Sequence, residues 1–159
     1  ELLEDTLRIA HEMFRGERGS EGEFRGHRYV AARLLNSPQA LARPRVPIMV
    51  GGGGERKTLR LVAQYADAAN VFGGPEAIAH KFEVLRRHCA DVGRDPDEIE
   101  RTTLQGVNFE RHGPAEVVER FGERADAGAQ HIIFSLAGVA DPRTLERVER
   151  ELMPHVRGL

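Results

Sequence analysis

Tryptophan is absent from this chain, tyrosine occurs twice and cysteine once. The lone Cys89 excludes an internal disulfide and suits a reducing compartment, so a cytoplasmic location is expected. No apolar run approaches the roughly 20 residues that a membrane-spanning helix needs. Basic residues show no excess: 23 Lys and Arg face 25 Asp and Glu, a net charge of −2. A polyanion such as nucleic acid is therefore not the expected partner. The chain opens on Glu1 with no secretory pattern, which predicts a fragment or a processed chain. What remains is 159 residues, 40% of them apolar and 30% charged, enough for one domain with a core of its own.

The apolar spacing is mostly helical. Leu3, Leu7, Ala10 and Phe14 share one face of a helix over 1–15, with Gly16 as its stop. Residues 16–47 break the pattern with glycine, charge and proline, and read as an irregular insertion with a short hairpin around Phe24 to Tyr29. After Pro47 a strand–helix unit repeats. "PIMV" is followed by a helix carrying Leu59, Val62 and Ala66, and "AANVFG" by a helix from Pro75. That helix bears the stripe Ile78, Phe82, Leu85, Cys89 and Val92 and closes at Gly93. "RTTLQGVNF" precedes a helix from Pro114 with Val117, Val118, Phe121 and Ala125 inward, ending at Gly128. "HIIFSL" precedes a helix capped by Asp141, with Pro142 first and Leu145, Val148 and Leu152 inward.

Four such units predict an α/β protein with parallel strands joined by helical crossovers. The period matches a (β/α)8 barrel, but the length is about half of the roughly 250 residues such a barrel uses. An open, doubly wound sheet stays equally open on spacing alone.

The first turn of this repeat holds four glycines, Gly51 to Gly54. It is no P-loop, because Lys57-Thr58 follows Glu55-Arg56 and not a glycine; nor is it a dinucleotide fingerprint, because Arg56 stands at the third glycine position. A strand end running through bare backbone into a helix N-terminus offers free N–H groups and a positive dipole to an anion. Arg56, Lys57 and Thr58 add donors beside it. The bland alternative is a tight turn that binds nothing.

Other candidates are weaker. Asn70, Phe72 and Gly73 end the second strand, where a barrel has its ligand mouth. Gln105 and Asn108 lie in or just after the third strand, and Ser135 ends the fourth. The seven histidines show no ligand spacing, so no metal is expected. His80 and His88 fall off the apolar stripe and are read as solvent-facing, His131 as structural. Cys89 belongs to the stripe and reads as packing.

The stretch "FRGHRYV…NSPQALARPRVPIMVGGGGERKTLRLVAQYADAANVFGGPEAI", with "GRDPDEI" at Gly93–Ile99 and "AGAQHIIF" later, resembles the luciferase-like monooxygenase family. The likeness runs over essentially the whole chain and corresponds to the C-terminal half of that family's (β/α)8 barrel. It implies an oxidoreductase using deazaflavin F420 or FMN for hydride transfer or monooxygenation of a small-molecule substrate, usually as a dimer. The wording of the central stretch is most similar to F420 members. The resemblance places the phosphate end of the cofactor on the glycines Gly51, Gly52, Gly53 and Gly54; the residue reading adds Arg56 and Thr58 as donors beside them, and Asn70 as a contact to cofactor or substrate or, equally, a turn cap. It also implies that the ring pocket and most catalytic side chains belong to the N-terminal half, so no catalytic acid or base is assigned. Two further readings remain: a phosphate-binding barrel isomerase or lyase, and a non-catalytic half-barrel that assembles with itself or a partner.

Overall fold

A computed structural model describes residues 1–15, 21–42 and 44–157. Gly16, expected to stop the first helix, lies outside the described residues. The chain divides into two compact units, Glu1–Ile48 and Met49–Leu159.

The first unit holds helix α1 (Leu2–Arg15) and strands β1 (Glu21–Arg25) and β2 (Val30–Leu35), which pair antiparallel. The feature that organises it is Asp5, which is fully buried. Its carboxylate accepts the backbone N–H groups of His27 at 3.1 Å, Arg28 at 2.6 Å and Tyr29 at 3.1 Å. Burial pushes the Asp5 carboxyl up, but the bonds from Arg28, His27 and Tyr29 outweigh it and hold the pKa at about 2. A side chain on Gly26 would run into this carboxylate. Gly26 is bare for that reason, and with Phe24 buried under Arg8 "FRGHRY" is a clasp on α1. Leu7 is buried as the periodicity requires, whereas Leu3 is 40% exposed.

The second unit contains strands β3 (Met49–Gly51), β4 (Ala68–Val71), β5 (Glu100–Val107) and β6 (His131–Leu136), all parallel. Their order is β3-β4-β5-β6. Sequential order without a reversal is how a barrel grows, since a doubly wound sheet needs a switch point. Between the strands run α2 (Thr58–Tyr65), α3 (Pro75–Val92) and α4 (Pro114–Asp126). After β6 come α5 (Pro142–Arg147), a π-helical stretch Val148–Leu152, and α6 (Met153–Val156).

The helices cover one face of the sheet. Leu59, Val71, Ile78, Phe82 and Ala129 form one cluster, and Val107, Val117, Phe121 and Leu152 a second, joined by Ile132, Phe134 and Leu136. Because strand side chains alternate, Val71 and Val107 on the helix side put Asn70 and Thr102 on the opposite face. Two inward expectations do not hold. Leu145 is 52% and Val92 38% exposed: α5 is six residues long before the π-helical stretch resets the helical phase, and Val92 is the last residue of α3.

"GRDPDEI" is scaffold. Gly93 ends α3 in the left-handed conformation, φ 69°. Arg94 donates to the carbonyls of Ala63 at 3.2 Å and Ala66 at 2.8 Å, closing the end of α2. Asp95 accepts the Asp97 N–H at 2.9 Å, and Ile99 is fully buried.

Candidate functional site

The glycine run sits where a parallel strand delivers its chain to the rim. Gly51 is the last residue of β3 and the register partner of Asn70. Gly52 turns the chain with φ 133°, a region side chains rarely adopt, and donates its N–H to Asn70 O at 2.9 Å. Gly54 O then accepts the Leu59 N–H at 3.0 Å. A Cβ on Gly54 would lie 2.8 Å from Thr58 Oγ1, and one on Gly52 3.3 Å from Thr58 Cγ2. Thr58 therefore fills the space that the missing side chains leave. Helix α2 is entered without any side-chain cap, and of its first N–H groups Leu59's is taken by Gly54 O.

Arg56 and Lys57 are exposed in the turn, and Thr58 is half-buried at the first position of α2. Asn70 is 7% exposed. Its Nδ2 leans toward Met49 Sδ, 3.9 Å away, while its Oδ1 has no hydrogen-bond partner among the described residues. Thr102, paired with Asn70 across the sheet, has an equally unpartnered Oγ1. Buried oxygens without donors are uncommon, and here two are register partners on adjacent strands. The structure thus gathers Gly51, Gly52, Gly53, Gly54, Thr58 and Asn70 in one place, with Arg56 at its edge.

A second set of residues at this turn was not legible in the sequence. The Glu55 carboxylate pairs with Lys81 Nζ and accepts from His80 Nε2 at 3.2 Å. Lys81, with His80 beside it, holds the Glu55 carboxyl below the usual range. His88 Nε2 lies 2.7 Å from the Glu55 carbonyl, and because a carbonyl only accepts, that nitrogen carries the proton. His88 is therefore turned to the protein, with a side chain 20% exposed, and does not face solvent. These three residues come from α3, more than twenty positions along the chain, so no local pattern could reveal them.

The remaining candidates fall elsewhere. Gln105 is on the helix side, donating to Thr103 Oγ1 at 3.2 Å. Asn108 Oδ1 accepts the Glu110 N–H at 2.9 Å and lines a cavity of about 390 Å³ at the ends of β5 and β6. In that cavity Arg147 stacks 4.6 Å over the Phe109 ring. Ser135 is on the uncovered face, and His131 pairs with Glu100 at 3.2 Å. Cys89 is fully buried, and burial pushes its thiol up. Among the described residues no three His, Cys, Asp or Glu side chains come together as a metal site, and no helix is long and apolar enough to cross a membrane.

A parallel sheet in sequential order with helices on one face, and a bare-backbone turn after its first strand, defines a barrel-type α/β protein. The luciferase-like monooxygenase family model matches residues 1–157, and the chain belongs to that family. No curated protein matches the chain. Among solved structures, an F420-dependent secondary alcohol dehydrogenase complexed with an F420-acetone adduct superposes with a TM-score of 0.77 at 13% identity, over 95% of this chain and 60% of its own. A coenzyme F420 dependent tetrahydromethanopterin reductase from Methanopyrus kandleri gives 0.72 at 14%, over 94% and 62%. A riboflavin lyase with modified FMN and riboflavin gives 0.76 at 10%, over 99% and 57%. These likenesses show the fold. The chain spans about 60% of the length of these three structures.

Proposed function

We propose that this chain is the phosphate-binding part of an oxidoreductase that uses deazaflavin F420 or FMN. The observation that carries this reading is the uncapped, four-glycine entry to α2 beside the unpartnered Asn70 oxygen. Bare backbone, an uncapped first turn and a helix dipole suit a phosphate, and the Asn70 Oδ1, which lacks a donor, suits a hydroxyl of the chain attached to it. Arg56 and Thr58 supply further donors at the rim. The bound cofactor would accept or donate hydride; the residues here would bind and orient its phosphate end.

The neighbours' cofactors support both deazaflavin and FMN, and the glycine turn suits the phosphate of either. Titration of the chain with F420 and FMN, followed by absorbance and fluorescence, tests the reading. Saturable binding of one of them is expected, and binding of neither would remove it.

A further inference from the structure

The chain contains two lysines among 23 basic residues, and both, Lys57 and Lys81, stand at the glycine turn. Lys57 is in the turn and exposed. Lys81 comes from α3 and is only 22% exposed. A Cβ built on Gly53 would meet Lys81 Cε at 3.4 Å and Cδ at 3.8 Å. The aliphatic stem therefore lies along Gly53 and delivers the ammonium to the turn, where Glu55 holds it.

We propose that Lys81 is the cation of this anion site, held ready by Glu55 and turned toward the phosphate when a ligand arrives. This inference rests on the reading of Gly51–Gly54 as a phosphate turn. It adds a residue that neither the glycine motif nor its neighbouring sequence contains.

Three observations support it. A carboxylate in a phosphate turn repels its ligand unless it is neutralised, and Lys81 and His80 both contact Glu55 Oε1. An ammonium has three donor hydrogens, so Lys81 can serve a phosphate oxygen while His80 keeps the carboxylate satisfied. The second residue of the pair stays in place meanwhile, because His88 pins the Glu55 carbonyl at 2.7 Å. Glu55 is thus a positioning residue and Lys81 a ligand-binding one. On the other face of the sheet, the Asn70 side chain, next to Gly51 in register and 93% buried, has an Oδ1 without a partner among the described residues.

The test is fluorescence titration of wild type, Lys81→Met and Glu55→Gln with FMN and riboflavin, which differ only in the phosphate. Wild type should prefer FMN. Lys81→Met should lower FMN affinity about tenfold, with riboflavin unchanged. Glu55→Gln should widen the preference for FMN several-fold by releasing the ammonium. A Lys81→Met protein that keeps the wild-type preference overturns this inference and leaves the glycine-turn reading standing. Wild type that binds FMN and riboflavin equally, or that binds neither FMN nor F420, overturns the glycine-turn reading and this inference with it; if it binds F420 in place of FMN, the same comparison is read between F420 and its phosphate-free deazaflavin. If circular dichroism shows Lys81→Met unfolded, Glu55→Gln decides: an unchanged FMN-to-riboflavin ratio overturns the proposal, and a widened one supports it.

Discussion

Gly52 donates its backbone N–H to the carbonyl of Asn70 at 2.9 Å, so the turn after β3 is anchored to the neighbouring strand at the point where the chain reverses hand. With φ at 133°, that anchor is available only to glycine at low cost. Gly52→Ala should destabilise the chain by about 1–2 kcal/mol and abolish any preference for FMN over riboflavin. Thermal melts and flavin titration check both. A variant unchanged in both would show that the turn tolerates another conformation.

Much of the fold was legible from spacing, because α3 and α4 each combine a proline start with a clean apolar stripe. Leu145 departs from its spacing because a π-helical stretch changes the phase of the last helix, which no periodicity count anticipates. The site was half legible. Four glycines between a strand and a helix announce themselves locally. The grip of Lys81, His80 and His88 on Glu55 is tertiary and has no signature in the chain. The same holds for Asp5: an acidic residue in a first helical turn reads as a dipole complement, and its true partners are twenty residues away.

Asp5 gives the chain an acid-sensitive clasp. Its folded pKa of about 2 lies below the ordinary aspartate value of 3.8, so the unfolded chain binds the proton more readily. The stabilisation is complete above about pH 4 and is lost as pH falls from 3.8 toward 2. Glu83, held at about 2 by Arg86 and Arg87, adds to the same acid limb. Asp5→Asn should lower the melting temperature at pH 7 by roughly 5 °C or more and flatten the fall between pH 4 and 2. Melts recorded across that range check it; equal acid slopes in both proteins would count against the clasp.

Arg94 provides a contrast between scaffold and site. It closes the C-terminal end of α2, while the glycine turn opens the other end. Arg94→Met should cost about 1.5–3 kcal/mol through the lost charged hydrogen bonds. The ratio of FMN to riboflavin affinity should stay at the wild-type value. A changed ratio would mean that the far end of α2 controls its N-terminus.

Asn70 separates stability from binding most directly. A buried carbonyl without a donor costs the fold about 1–3 kcal/mol when no ligand satisfies it, and Asn70 Oδ1 is such a group. Asn70→Leu keeps the volume and removes the polar atoms, giving up only the weak 3.9 Å approach to Met49 Sδ. The melting temperature of the free protein should therefore hold or rise, while flavin affinity falls several-fold. Differential scanning calorimetry beside flavin titration reads the two effects separately. A sharp loss of stability would instead make Asn70 a structural residue whose oxygen is served by buried water, and would take the ligand contact away from it.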